Sequence, residues 1–385
     1  MLRLLLLVFA LLFTLGHTHA QSMRIGIFTE ANLKTIQFTA ARGNVFLLND
    51  GEFFQEIEQG DIINIAMGIS KKLDVKINGT YVLSGGKIQL IQEKEENFLK
   101  VKPVNPNLQE RSYEGDFELT NNGTKITLVN VVDMEVYLEG VVESESGSGQ
   151  NVEYYQAQAI ISRTYAMKYV NKHASDGYNL CERVHCQAYL HKRLNAAIID
   201  TAVRKSAGKV MVDKKNQLYA TYFHANCGGQ TCEPDQVWNE RLDGFESFRD
   251  TFCIRTKQAN WEKRIPKQDW TSFMVNKYNF PLNDSLSQHQ LYNFQQPYRY
   301  GFFIHPSYGI PLRDIREAFQ LKSTLFNVSL EGEMVVLKGK GFGHGVGLCQ
   351  EGAMNMSKKG YDHRQILEYY YPSMRLVKDY VPKKK

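Results

Sequence analysis

From Met23 to about Val132 the chain alternates apolar and polar residues in short runs. Among them are Arg24-Ile25-Gly26-Ile27-Phe28, Asp74-Val75-Lys76-Ile77 and Lys125-Ile126-Thr127-Leu128-Val129. A period of two sends successive side chains to opposite faces, so these runs predict half-buried strands. Asp50-Gly51, Asn78-Gly79, Gly85-Gly86 and Asn122-Gly123 fall between the runs and mark tight turns. No helical period of useful length interrupts this stretch.

The pattern changes at Val136. Tyr137 to Val142 is a short, mostly apolar run that reads as a strand, and Gly147 to Gly149 reads as a small-residue loop. Glu145 is thereby expected in a loop leading into a helix. That helix is predicted from Val152 to about Val170, capped by Asn151, because the segment lacks Gly and Pro and repeats Tyr155, Ala159, Ala166 and Val170 at helical spacing. A second helix is expected from about Arg193 to Ser206, closed by Gly208, then a strand pair formed by Lys209 to Val212 and Leu218 to Phe223. The stretch from Glu240 to Asn293 is less patterned, with Trp261 and Trp270 near candidate helix starts. Strands return at Phe326 to Leu330 and Met334 to Lys338, and a last helix near Arg364 to Tyr371 stops at Pro372. The expected architecture is α+β: a β-rich amino-terminal part (21–132), a core in two segments (133–239 and 319–385) and an inserted subdomain (240–318). The β-rich part and the mixed α/β part are expected to flank a substrate groove.

Composition adds a destination. Arg3, the apolar run Leu4 to Leu15 and Thr18-His19-Ala20 read as a secretory signal over residues 1–20. The run is shorter than the ~18 apolar residues of a spanning helix, so the chain is expected to be exported to the periplasm or cell envelope, touching a membrane only during targeting. A net charge of +5 and the terminal Lys383-Lys384-Lys385 suit weak attraction to an acidic polymer. No nucleic-acid partner is expected.

Six cysteines in an exported chain allow fifteen pairings, so spacing says more than number. Cys181, His185 and Cys186 are ligand types that zinc prefers, and His173 or His191 would supply a fourth; a Cys181–Cys186 disulfide is the rival in an oxidising compartment. Glu145 sits within Glu143-Ser144-Glu145-Ser146-Gly147, and Glu143 competes with it because residues two apart in an extended segment share a side. On the following helix, Arg163 shares a stripe with Gln156, and with Gln158 and Tyr165 it offers donors suited to sugar hydroxyls or a carboxylate. His224 and Asn226 lie on one side of a strand end before Cys227-Gly228-Gly229-Gln230-Thr231. His344 stands among the glycines of Gly341 to Ala353, which allow close backbone approach; no Lys-Ser/Thr follows to make them a phosphate loop.

These motifs occur in the order that resembles the sporulation stage II protein D family, which includes the amidase enhancers and is typified by peptidoglycan lytic transglycosylases. The likeness is carried by Tyr137 to Val142, Gln156-Ala157-Gln158-Ala159, Ser162-Arg163-Thr164-Tyr165-Ala166, His185-Cys186-Gln187-Ala188-Tyr189, Asp235-Gln236-Val237-Trp238, Leu321 to Phe326 and Gly341 to Ala353. The resemblance implies Glu145 as the catalytic carboxyl, although the family's usual Pro-Ser-Glu-Met-Pro is here Glu-Ser-Glu-Ser-Gly. It further implies a structural zinc at the Cys and His-Cys cluster, and no cofactor for the chemistry itself. The expected substrate is the peptidoglycan glycan strand, cut between N-acetylmuramic acid and N-acetylglucosamine, with Gln158, Arg163, Tyr165, His224, Asn226 and His344 binding saccharide. A cell-wall amidase is a candidate partner, and a glycan-binding, amidase-enhancing protein without activity is the alternative. One carboxyl suffices for a lytic transglycosylase, because the sugar's own 6-hydroxyl replaces water. Its pKa must rise toward neutrality, a rise that a nearby helix start would oppose.

Overall fold

The computed structural model describes residues 22–94, 96–192, 197–238 and 240–381. The expected signal segment, the first turn of the helix expected from Arg193, and the Lys383-Lys384-Lys385 tip lie outside the described residues. The chain forms two compact units, one comprising the residues up to Ser148 with Tyr169–Arg204, the other Gly149–Lys168 with Lys205–Lys385. The division is interleaved rather than sequential: the helix after Glu145 belongs with the carboxy-terminal residues, and the Cys181–Cys186 loop with the amino-terminal ones.

The first unit is built on two antiparallel-rich sheets. One has seven strands in the order Leu180–Cys181, Ser22–Ile27, Ile126–Asp133, Asp116–Asn121, Lys87–Gln92, Val45–Asn49, Glu52–Ile57. The other has six, in the order Arg111–Glu114, Phe98–Asn105, Thr35–Arg42, Ile62–Met67, Leu73–Ile77, Thr80–Gly85. The alternation read from sequence is the alternation of burial: along Thr35–Arg42, Ile36, Phe38 and Ala40 are fully buried. Phe38 of one sheet meets Phe117 of the other edge-on at 5.3 Å between ring centres, so the inner faces share one core. The Asn78-Gly79 turn takes positive φ at both positions, 48° and 84°, which matches the twist of the strands it joins.

The run Tyr137–Val142 is not a strand. It lies inside a helix, Met134–Ser146, whose first turn is capped by the Asp133 carboxylate accepting from the Glu135 and Val136 amides at 2.8 and 3.3 Å. Every residue from Tyr137 to Glu143 is buried, so no polar face betrays the helical period.

In the second unit the helix Val152–Lys168 is buried continuously from Tyr154 to Ala166. Its Thr164 hydroxyl accepts from the Met211 amide at 2.9 Å, fixing it to the strand Lys209–Val212. That strand pairs with Arg375–Lys378, not with Leu218–Phe223 as expected; only a bridge between Val212 and Leu218 closes the turn. The two residues Phe223–His224 pair in parallel with Leu348–Cys349 instead. The stretch read as an insertion (240–318) does not pack alone: its cluster takes in Leu321, Phe326, Val328, Val335 and Leu337 from the segment expected to belong to the core. A sheet of Asn260–Pro266, Met334–Lys340 and Phe326–Glu331 packs with the helices Lys267–Tyr278, Ser285–Tyr292 and Leu312–Ala318 around Trp270, Phe294 and Phe303. Trp270 is in a helix as expected, whereas Trp261 is in a strand. No helix among the described residues is long and apolar enough to cross a membrane.

Candidate functional site

Glu145 occupies the last turn of Met134–Ser146 and is half-buried. The Ala188 amide donates to its Oε1 at 2.6 Å, and the Leu190 amide donates to the neighbouring Ser144 hydroxyl at 3.1 Å. Two residues on a helix are about 200° apart, so Glu143 points away from Glu145 and into the unit, 8% exposed. The two carboxyls that extended geometry could not separate are thus distinguished. Gly147 closes the helix with φ 66°, its amide donating to the Glu143 carbonyl at 2.8 Å. Proline cannot adopt that φ, so the loop follows a different course from one carrying the family's usual proline.

Burial pushes the Glu145 carboxyl up to about 7, outweighing the Ala188 N–H that favours the ionised form. Glu145 also ends its own helix, where the negative pole of the peptide dipoles disfavours a carboxylate. On its own helix the dipole therefore acts opposite to the effect expected from a helix start.

In the same unit Cys181, Cys186, His185 and His173 converge, each offering a ligand atom within 4.8 Å of the others. His185 Nδ1 stands 3.8 Å from the Cys181 sulfur and 3.9 Å from that of Cys186. The fourth member is His173 and not His191, whose Nδ1 donates to the Lys192 carbonyl. The Nε2 of His173 is buried without a hydrogen-bond partner, while its Nδ1 is held by Asp176 at 2.9 Å. A carboxylate behind an imidazole that presents its other nitrogen to a set of thiols is the arrangement of a tetrahedral zinc ligand. The hydrogen bond between the two sulfurs lowers the Cys181 thiol and raises that of Cys186, so one of the pair ionises readily and the other keeps its proton until a cation takes its place. Two cysteines and two histidines fit zinc.

The second unit gathers its own polar and aromatic groups. His224 and His344 lie 5.5 Å apart, Trp238 stands 5.1 Å from His344, and Tyr222 packs 4.6 Å from Trp238. The His224 Nδ1–H donates to the Val346 carbonyl at 3.1 Å, and its buried Nε2 has no partner. The His344 Nδ1 accepts from the Val346 amide at 3.0 Å. Burial lowers both imidazoles, His344 to about 4, so both are neutral at pH 7. Trp238 is 38% exposed and, with the half-buried Tyr222, presents an aromatic face to solvent. Tyr222 opens the run that carries His224 and Asn226, and Trp238 ends Asp235-Gln236-Val237-Trp238, but nothing in their spacing shows that the two rings meet or that Trp238 is exposed.

Gln158, Arg163 and Tyr165 are buried, and the bonds seen for the first two stay within the unit. Gln158 contacts Tyr154, Ser162 and Gln350, and Arg163 donates to the Lys209 carbonyl at 3.2 Å. Asn226 is fully buried: its Nδ2 donates to the Cys253 carbonyl, Thr256 and Glu351, and its Oδ1 accepts from the Gly228 amide. An amide so occupied has no group to give a sugar. It braces the turn. Arg299, unnoticed in the sequence, does the same by donating to the Cys227 and Gln230 carbonyls at 2.7 and 2.8 Å. Beside that turn is a cavity of about 760 Å³ lined by Gly229, Arg249, Asn260, Tyr298, Lys338 and Lys340, among others.

The fold is that of a two-unit α+β protein whose first unit holds a carboxyl of raised pKa, with a zinc-type ligand set two residues from its amide partner. Residues 122–212 match the family model described as Stage II sporulation protein. The chain is similar to an uncharacterized protein of Brachyspira hyodysenteriae, 26% identical over 81% of this chain and 82% of the relative. It is 24% identical to the Stage II sporulation protein D of Bacillus subtilis, over 64% of this chain and 75% of the relative. It is 25% identical to the Amidase enhancer of Bacillus subtilis, over 78% of this chain and half of that longer protein. Together these support the sporulation stage II protein D and amidase-enhancer family for this chain.

Proposed function

We propose that the protein is an exported lytic transglycosylase of the cell wall, cutting glycan strands between N-acetylmuramic acid and N-acetylglucosamine with Glu145 as general acid and then base. The family and its amidase-enhancer relative support a cell-wall-related function. The observation that carries the finer reading is the Glu145 carboxyl at the end of its helix, held by the Ala188 amide and pushed up to about 7 by burial. A group poised there is about half protonated at neutral pH, so the same oxygen can protonate the leaving glycosidic oxygen and then take a proton from the sugar's 6-hydroxyl. Hydrolysis would need a second carboxyl to activate water. The exposed Tyr222–Trp238 face with the neutral His224 and His344 supports sugar binding in the second unit. Zinc at Cys181, Cys186, His185 and His173 would be structural, since four protein ligands leave no open position for substrate.

The test is incubation of intact and of peptide-stripped strands with the wild type and Glu145→Gln, followed by mass analysis of chain ends. Anhydro-muramyl ends from the wild type, absent in the variant, support the reading; cleavage retained by the variant ends it. A second reading, a glycan-binding protein that stimulates a cell-wall amidase without cutting, is favoured by Gly147 at φ 66° where the family usually has proline. Binding of strands and stimulation of an amidase, with no anhydro ends, would establish it.

A further inference from the structure

A second set of metal-ligand side chains lies in the second unit, apart from the proposed catalytic and sugar-binding groups. Cys227, Asp250, Cys253 and Cys349 are all fully buried, and their ligand atoms lie within 4.8 Å of one another. They come from four separate places: the turn after Phe223–His224, both ends of a short loop, and the residue that opens the helix Gln350–Lys358. The Cys227 sulfur stands 3.2 Å from the Cys253 sulfur and 3.2 Å from Asp250 Oδ2. The surroundings are arranged around the donors. The Tyr370 hydroxyl donates to Asp250 Oδ2 at 2.9 Å, the Phe252 amide donates to Oδ1 at 2.8 Å, and the Cys227 amide donates to the Cys349 sulfur at 3.3 Å. Gly352 makes room for them: a Cβ there would stand 2.1 Å from the Tyr370 hydroxyl and 2.8 Å from Asp250 Oδ2.

From this geometry we propose that Cys227, Asp250, Cys253 and Cys349 form a second, closed zinc site, separate from the group at Cys181 and independent of whether Glu145 cuts glycan. Three sulfurs and one carboxylate oxygen are a donor set of the soft, tetrahedral kind that zinc takes. Bonds of about 2.3 Å set sulfurs about 3.8 Å apart in a tetrahedron, so the present spacing needs to relax by only tenths of an ångström. The rival is a disulfide, and it leaves more unexplained. One disulfide uses two of the three sulfurs, strands the third, and has no use for a carboxylate turned in among them. The Asp250 carboxylate accepts from the Tyr370 hydroxyl and the Phe252 amide, which orient it, and a divalent ion would offset its buried charge directly. On binding, each thiol that ligates releases its proton to solvent, and Zn²⁺ enters without redox change. The site would clamp the Cys227–Gln230 turn to the Asp250–Cys253 loop. Gly228, Gly229, Thr251 and Ile254 from these segments line the large cavity, so the ion would stiffen one of its walls.

The experiment measures zinc per chain by elemental analysis in the full chain, in Cys253→Ser and in Cys181→Ser, with alkylation mapping of the wild-type cysteines. The proposal expects Cys253→Ser to lose one zinc per chain that Cys181→Ser keeps. It also expects wild-type Cys227, Cys253 and Cys349 to resist alkylation until a chelator is added. Should Cys253→Ser not fold, the wild-type alkylation map decides alone. Zinc content unaffected by Cys253→Ser, thiols alkylated equally with and without chelator, or a disulfide joining any two of the three would overturn it.

Discussion

Replacing Glu145 by Gln keeps the shape of the side chain and the acceptor for the Ala188 amide but removes the titration. In the folded protein the carboxyl rises from its ordinary 4.5 to about 7, mainly through burial. At about 1.36 kcal/mol per tenfold change this corresponds to roughly 3 kcal/mol, and solvent screening of a half-buried group trims it to on the order of 2 kcal/mol. The folded state holds the proton more tightly than the unfolded chain. This group's contribution is therefore fully present below about pH 4.5 and is lost as pH rises through about 7. Wild type and Glu145→Gln should melt together near pH 4, and the variant should be the more stable by about 2 kcal/mol at pH 8. At about 2–4 °C per kcal/mol for a unit of this size, that is a gap of roughly 4–8 °C. The assay is thermal unfolding of both proteins at half-unit pH steps. Parallel curves across that range would refute a raised pKa, and with it the acid-and-base role. The same carboxyl should give a cleavage rate that peaks near neutrality, with an activity loss of ~10²-fold or more in the variant.

Trp238→Ala should weaken binding of glycan strands by about 1 kcal/mol, roughly fivefold in Kd by calorimetry, with the melting temperature little changed; unaltered affinity would remove the stacking role. Asn226→Ala should instead lower stability by about 2–3 kcal/mol, because Glu351 and the Cys253 carbonyl lose a donor; a fall in glycan affinity at unchanged stability would return Asn226 to the binding surface. Gly147→Pro should cost more than about 1 kcal/mol at a φ of 66°, and an unchanged melting curve would show that the loop is not held as described. Cys181→Ser should abolish zinc at the first ligand set and speed hydrogen exchange at the Ala188 amide; exchange at the wild-type rate would separate the metal from Glu145.

The sheets of the first unit were legible because most of their strands bury one face, so the period of two is written in the residues themselves, as along Thr35–Arg42. The Asn-Gly turns were legible because few other residues accept positive φ there. What failed was local pattern without a face. Met134–Ser146 is buried nearly all round, so a six-residue apolar run within it looks like a strand and its capping Asp133 is the one cue to a helix. Leu218–Phe223 has strand composition, but its neighbour's partner is Arg375–Lys378, over 150 residues later, and no local signal carries that pairing. At the site, residue types were legible and their burial was not. Asn226 and Gln158 are polar because they brace a core, which in a one-dimensional reading looks the same as polar for binding.

The chain itself links the ligand set to the acid. Cys186 is two residues before Ala188, and four before Leu190, so the segment that holds Glu145 and Ser144 begins at a sulfur of the ligand set. A disulfide between Cys181 and Cys186 would close a loop of a few residues and leave His173 Nε2 buried without a partner. A zinc ion would employ that nitrogen and anchor the start of the segment to a second strand edge, since Leu180–Cys181 pairs with Ser22–Ile27. For the role proposed for Glu145, positioning to within a fraction of an ångström matters, because the N–H from Ala188 opposes the effect of burial on its pKa. Loosening that hydrogen bond would raise the pKa further, strengthening the acid form at the expense of the base. A metal with no part in the chemistry would then still set its pH profile.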